Sequence, residues 1–353
     1  MSQPAANLTT TRSTPSSERV VWVLFLSLAL VWGSSFFFIK IGLDAGMGPF
    51  TLVSFRLLIG TAFLASVMRL THRRLPRAPG AARRLVTLSV LNIAIPFLLL
   101  AWGEQWISSA VTGIFNSLTP LFAIVLAAVV LQDEPITLNR LGGLALGFLG
   151  ALLLASPNIS TGGSTDTSKA LLGELAVAAA CLSYACGAVY TRHRISGQPL
   201  VIDPVIGPRA ALPVEIALPQ VGIAAVLTSI VAVVVEHPAG GLVPTPPSID
   251  AWIAVAWLGI LGSGVAYLLF FPIVRAWGAT RTTMVTYLMP VVSIGLGVLV
   301  LSEQLLPVEL LGGALILGGL LLANASVGRR RLYGRHPAKP STVTAATLPR
   351  PDA

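Results

Sequence analysis

Two long apolar segments of this chain are copies of one another, and that duplication narrows the fold more than any other feature. Pro120 and Pro290 sit near the middle of these segments, 170 residues apart, and Leu141 to Gly143 recurs as Leu311 to Gly313 at the same offset. Leu118, Ile124, Leu126, Val130 and Leu131 recur as Leu288, Ile294, Leu296, Val300 and Leu301, and Asp133 is answered by Glu303. The repeated unit is hydrophobic along its length, so the chain reads as two copies of a membrane unit.

Composition supports lipid as the solvent. Hydrophobic residues make up 54% and charged residues 10% of 353 positions, with a mean hydropathy of +0.82, too little polar material to cover a soluble globule of this size. Apolar runs long enough to span a bilayer fall at residues 21–41, 50–70, 85–102, 110–131, 138–156, 171–190, 212–235, 251–271, 280–301 and 307–327. They are twice the length of a barrel strand and lack its alternation, so the expected fold is an all-α polytopic membrane protein of about ten transmembrane helices.

Arginine and lysine set the expected orientation, because cytoplasmic loops retain positive charge. With the N-terminus inside, the inner loops and tails collect Arg69, Arg73, Arg74, Arg77, Arg83 and Arg84, then Arg140, Arg192, Arg194, Arg209 and Arg275, and the cluster from Arg329 onward. Both termini are then cytoplasmic, in a plasma or inner membrane. Each half holds five spans, an odd number, so the two copies cross in opposite senses and form an inverted repeat. The expected organisation is a tail at 1–19, a first repeat at 20–156, a linker at 157–169, a second repeat at 170–327 and a basic tail at 328–353. Both tails read as unstructured, and neither reads as a nucleic-acid-binding domain.

The residues also resemble a known family. Trp32-Gly33-Ser34 with Lys40 in the first span and Pro49 with Phe55-Arg56 in the second carry the likeness. So does an arrangement present in each half: a helix with a central proline, an acidic residue after it, and a glycine-rich helix. These are Pro120, Asp133/Glu134 and Gly142/Gly143, then Pro290, Glu303 and Gly312/Gly313. This pattern resembles the EamA-type exporters of the drug/metabolite transporter superfamily. The resemblance implies a ten-helix inverted-repeat carrier of small molecules, often an exporter of amino acids or other metabolites. Tyr184 and Arg192 stand where Trp32 and Lys40 stand in the first half, and no second arginine answers Arg56, so the pathway is expected to be chemically asymmetric.

Ionised groups inside the spans are the first candidates for contact with cargo, since a charge near a helix centre costs about 2.5 to 3.5 kcal/mol on insertion scales. Only Lys40 and Arg56 qualify. Each has two readings: a side chain that snorkels to the headgroups, or a cation that faces a wet cavity and pairs with a carboxylate or phosphate of the cargo. Every Asp and Glu falls in a tail, a loop or a terminal turn of a span, which disfavours a pump for cationic drugs and favours neutral, zwitterionic or anionic cargo. Pro120 and Pro290 each free a carbonyl in mid-helix and are candidate kinks or hinges. Asn116 and Thr119 precede the first, Thr286 and Tyr287 the second, and Trp32, Ser34, Tyr184 and Tyr267 complete the candidate binding set.

Several chemistries lack their parts. All four histidines lie in loops or tails, and Cys181 and Cys186 face different sides of one helix, so no metal site is expected. No nucleophile with an adjacent base and no phosphate-cradling glycine loop is present, so neither an enzyme nor an ATP-driven pump is expected, and no cofactor is implied. The expected function is a secondary transporter that exports small metabolites by alternating access in the bilayer, with protons as the candidate coupling ion. An importer of the same fold, or a non-transporting membrane sensor, is the alternative. Substrate and oligomeric state stay open.

Overall fold

A computed structural model describes residues 15–130, 136–160, 165–204, 207–236, 248–277, 282, 284–325 and 331–333. Among them nine helices are long and apolar enough to cross a membrane: α1 (Glu18–Asp44), α2 (Pro49–Leu70), α3 (Ala81–Gly103), α4 (Ser109–Val130), α5 (Leu138–Pro157), α6 (Thr167–Ile195), α7 (Pro213–Glu236), α8 (Ile249–Phe270) and α10 (Pro307–Asn324). The shorter apolar helix α9 (Val285–Val300) completes the set. Helices are required here because lipid offers backbone groups no hydrogen bonds.

Local signals set the helix starts. Proline occupies the first turn of α2, α7 and α10, where its missing N–H costs nothing. Ser108 and Ser248 cap α4 and α8 by accepting from Val111 N at 3.1 Å and Ala251 N at 3.2 Å. π-Helical stretches interrupt α3 at Val90–Ala94 and α8 at Trp257–Val265, the same helix of each half.

The principal contacts between the halves come in mated pairs. α2 packs on α7, α4 on α9 and α5 on α10; α1–α9 is answered by α6–α4, α1–α8 by α6–α3, and α2–α8 by α7–α3. Such a pattern is what a two-fold axis lying in the membrane plane produces for an inverted repeat. The α5–α10 crossing is the closest. A Cβ on Gly150 would lie 2.6 Å from the Gly312 carbonyl oxygen, and one on Gly312 would lie 2.7 Å from that of Gly150. Gly113 meets Ser293 in the same way across α4 and α9, and Gly143 meets Gly319 across α5 and α10.

Two apolar clusters make up most of the core. One joins α2, α3, α7 and α8 through Leu57, Ile93, Val221 and Leu258; the other joins α4, α6, α9 and α10 through Leu121, Val177, Met289 and Ile316. α1 lies along the seam between them.

The structure departs from the sequence reading at the chain ends and in α9. The helix that carries the α1 span extends back to Pro15, with Glu18 favourably placed in its first turn. Within the basic tail, β4 (Arg331–Tyr333) pairs antiparallel with β1 (Ile136–Thr137), and a second ribbon joins β2 (Pro199–Asp203) to β3 (Gly207–Ala210). α9 starts at Val285 rather than at 280, which places Thr286 and Tyr287 in its first turn. Asp133 and Glu134 lie outside the described residues.

Candidate functional site

α2 presents one buried stripe, Val53, Arg56, Leu57, Gly60, Leu64 and Met68, at helical spacing. Arg56 belongs to that stripe and is therefore carried inward with its apolar neighbours, 5% exposed. Small residues of α8 make the space. A Cβ on Gly259 would stand 2.7 Å from the Arg56 carbonyl oxygen, and one on Gly262 would stand 3.4 Å from Arg56 Nη2.

The guanidinium lies where the two core clusters meet. Nε donates to Ser263 Oγ at 2.9 Å, and Cζ sits 4.1 Å from the centroid of the Phe97 ring. Tyr184 meets Phe97 edge-on, with centroids 6.5 Å apart. Tyr184, Tyr267 and Glu104 are the titratable groups near enough to act on the guanidinium charge. No carboxylate forms an ion pair with Arg56 among the described residues, and its two terminal nitrogens have no hydrogen-bond partner there. The side chain is buried between helices rather than laid along the outside of the bundle. It is a planar cation with neutral direct contacts and unused donors, a configuration that suits a carboxylate or phosphate arriving from outside the protein.

Ser34 and Ser35 border this region from α1. Ser34 Oγ accepts from Trp257 Nε1 at 3.1 Å, Trp257 stacks on Phe38 at 4.6 Å, and a Cβ on Gly262 would lie 3.3 Å from Ser35 Oγ. The sequence-predicted residues Arg56, Ser34, Tyr184 and Tyr267 therefore gather around α8 and its π-helical stretch.

The remaining candidates sit elsewhere. Lys40 lies at the end of the bundle where α1 finishes, 3.6 Å from Asp44 and 3.5 Å from the Glu104 carbonyl oxygen. Trp32 packs on Phe270, centroids 5.6 Å apart, between apolar clusters. Tyr287 is engaged at the opposite end of the bundle, donating to the Leu320 carbonyl at 3.3 Å and accepting from Asn324 Nδ2 at 2.8 Å, with Thr286 beside it in the chain. These contacts follow from the late start of α9.

The matched prolines behave differently. α4 is broken just before Pro120 into Ser109–Asn116 and Thr119–Val130, and the turn between them tightens through Ser117 N to Ile114 O at 3.0 Å and Leu118 N to Phe115 O at 2.9 Å. Asn116 Oδ1 and Ser117 Oγ are buried there without partners among the described residues, and Thr119 Oγ1 is buried beside the Cys181 thiol, which donates to the Phe115 carbonyl at 3.4 Å. Pro290 lies inside a continuous helix, its carbonyl taken by Ser293 Oγ at 3.1 Å. The polar break therefore exists in one half only.

Two residues stand out that sequence reasoning did not assign. Glu104 is terminal in its helix, as expected, yet it is 0% exposed and neither carboxylate oxygen has a partner among the described residues. Gln220 is the mate of Arg56. Ala217, Gln220, Val221, Ala224, Thr228 and Ala232 form the buried stripe of α7, each 164 residues after its counterpart on α2. Gln220 Nε2 is buried without a partner among the described residues. The signal was available in the equal spacing of Pro49 to Arg56 and Pro213 to Gln220.

Comparisons with known proteins agree with this architecture. The EamA-like transporter family matches residues 20–156 and 171–325, one match for each half. The chain is 27% identical over 315 residues to a protein of Streptantibioticus cattleyicolor named "Probable terminal-alkyne amino-acid exporter", covering 89% of this chain and 96% of the relative. It is 25% identical to the uncharacterized inner membrane transporter YedA of Escherichia coli K12, over 84% of this chain and 88% of that one. A solved crystal structure superposes with a TM-score of 0.57 at 19% identity, covering 86% of this chain and 97% of the other, a likeness of fold. The two matched repeats account for most of the sequence, and the chain belongs to the EamA-like transporter family, as a multi-pass membrane transporter.

Proposed function

We propose that this transporter exports a small metabolite bearing a carboxylate, an amino acid or a related zwitterionic or anionic compound, by alternating access. The observation that carries the reading is Arg56: a buried guanidinium with one neutral hydrogen bond, an aromatic face beneath it and its terminal nitrogens unpaired among the described residues. Leaving a cation so placed is costly unless a ligand completes it. The amino-acid exporter among the relatives supports the cargo class and the direction. The buried polar groups at the α4 break, Asn116 and Thr119, are a second polar station on the path, with Pro120 as the hinge.

The arginine distribution supports cytoplasmic termini, which puts Glu104 and Lys40 at the outer end. Reporter fusions at both termini test this orientation. Glu104, sealed and without hydrogen-bond partners, is the carboxylate best placed to carry a coupling proton.

The test of cargo is comparative metabolite analysis of medium and cytoplasm from cells producing the wild type, Arg56→Gln at matched abundance, or an empty vector. A carboxylate-bearing compound enriched outside by the wild type alone supports the reading. A compound depleted from the medium points to import, and a compound moved equally by wild type and variant removes Arg56 from the pathway.

A further inference from the structure

The turn between α2 and α3 concentrates positive charge around a cavity that plays no part in the transport reading. Arg69, Arg73, Arg74 and Arg77 line a cavity of about 620 Å³, with Met68, Leu75 and Ile202 forming its apolar wall. His72 also lines it, and no acidic side chain does. None of the four guanidiniums has an ion-pair partner among the described residues. Glu215 is the carboxylate that reaches this turn. It accepts from Arg74 N at 3.4 Å, but both of its oxygens are already engaged by Arg209, at 2.7 and 2.8 Å. Four like charges around one cavity create a field that an anion relieves.

The pocket is built rather than draped. Arg73 N donates to the Met68 carbonyl at 3.1 Å and His72 N to that of Arg69 at 3.2 Å, closing the end of α2, and His72 holds a left-handed φ of 50°. Ala78 N donates to the Leu200 carbonyl at 3.2 Å, which fastens the turn to β2. The arginines are therefore presented on a backbone fixed at both sides. Their planar forks match the oxygens of a phosphate better than point charges would.

What surrounds the charge narrows the ligand. Leu70 is 80% exposed beside the arginines, and Leu75 and Ile202 are also exposed. Apolar surface next to a phosphate-seeking cluster, at the polar end of two membrane helices, has the two-sided character of a lipid at the interface. We propose that this pocket binds the phosphate of an anionic phospholipid, whose acyl chains run along Leu70 and Leu75. The proposal is independent of Arg56 and of the transported compound.

The test uses the full chain and substitutes Arg69, Arg73 and Arg77 together by glutamine. Wild type and variant, purified in detergent, are titrated with phosphatidylglycerol or phosphatidylcholine of equal chain length and examined by intact-complex mass spectrometry and thermal unfolding. The expected result is preferential retention of phosphatidylglycerol by the wild type, with thermal stabilisation, and a loss of apparent affinity of roughly tenfold or more in the variant. Equal melting of the two proteins in phosphatidylcholine alone shows that the variant is folded. Equal retention of both lipids by the wild type, or an unchanged preference in the variant, overturns the proposal. A third arm adds inorganic phosphate in millimolar excess; if it displaces phosphatidylglycerol, the site is one for a soluble phosphate and the lipid assignment falls.

Discussion

α2 and α7 are mates by position and by packing, yet one buries an arginine where the other buries a glutamine. Both begin with proline, both turn the same six positions inward, and they pack against each other. Around Arg56 the partners are the Ser263 hydroxyl and the Phe97 ring; around Gln220 the backbone carbonyl is taken by Ser89 Oγ at 2.6 Å while the amide nitrogen stays unbonded. The helix starts differ too. Glu236, at the far end of α7, caps α2 through Phe50 N at 2.7 Å and Thr51 N at 2.9 Å, whereas α7 uses its own Glu215, which accepts from Leu212 N at 2.7 Å. Duplication has kept the packing face and left its polar occupants free to diverge. On the proposed reading, the two halves exchange places during transport while only one of them carries a buried cation for the cargo.

Making the two helices alike in either direction tests that view. Gln220→Arg puts a second cation into the buried face of α7, and the expected loss of stability is about 2.5 to 3.5 kcal/mol. A lowered melting temperature in detergent measures it; an unchanged one would mean that the α7 side reaches water. The reverse change, Arg56→Gln, removes a buried charge and should leave melting unchanged or raised. Transport should nevertheless fall roughly tenfold to a hundredfold, the worth of about 1.5 to 3 kcal/mol for hydrogen bonds to a charged group. Stability gained with transport lost is the signature of a charge kept for recognition; loss of both would make Arg56 a packing element.

The architecture was legible because span length and duplication are set by lipid thickness and by repeated core faces, and both survive in single residues such as Pro120 and Pro290. The α2–α7 register was harder to see. Loop lengths differ between the halves, so the offset changes from helix to helix: 152 from Trp32 to Tyr184, 164 from Arg56 to Gln220, 170 from Pro120 to Pro290. One fixed offset hides the middle pair. Thr286 and Tyr287 looked as deep as Asn116 because hydropathy does not mark where a helix begins, and α9 begins five residues later than its apolar run. Glu104 was placed at a helix end, but a terminal position in a helix does not show what covers it in the fold.

The helix starts give a smaller effect confined to one mate. Glu236→Gln removes the negative charge that faces the α2 dipole and weakens two backbone bonds, with an expected cost of about 1 kcal/mol. Faster amide exchange at Phe50 and Thr51, with the start of α7 unchanged, would show that α2 depends on its mate for its cap. Equal loosening of both starts would mean that the two are coupled through the bundle.

The smallest change addresses the space around the charge. A Cβ at position 262 would crowd Ser35 Oγ at 3.3 Å and stand in van der Waals contact with Arg56 Nη2 at 3.4 Å, narrowing the space beside the guanidinium without blocking the α2–α8 crossing. Gly262→Ala should therefore leave melting unchanged and raise KM about threefold, less than 1 kcal/mol, with kcat preserved, because it disturbs ground-state placement of the cargo group more than the movement of the helices. A fall in kcat at constant KM would instead assign Gly262 to the motion of α8 against α2, and the selectivity of this half would have to be sought away from Arg56.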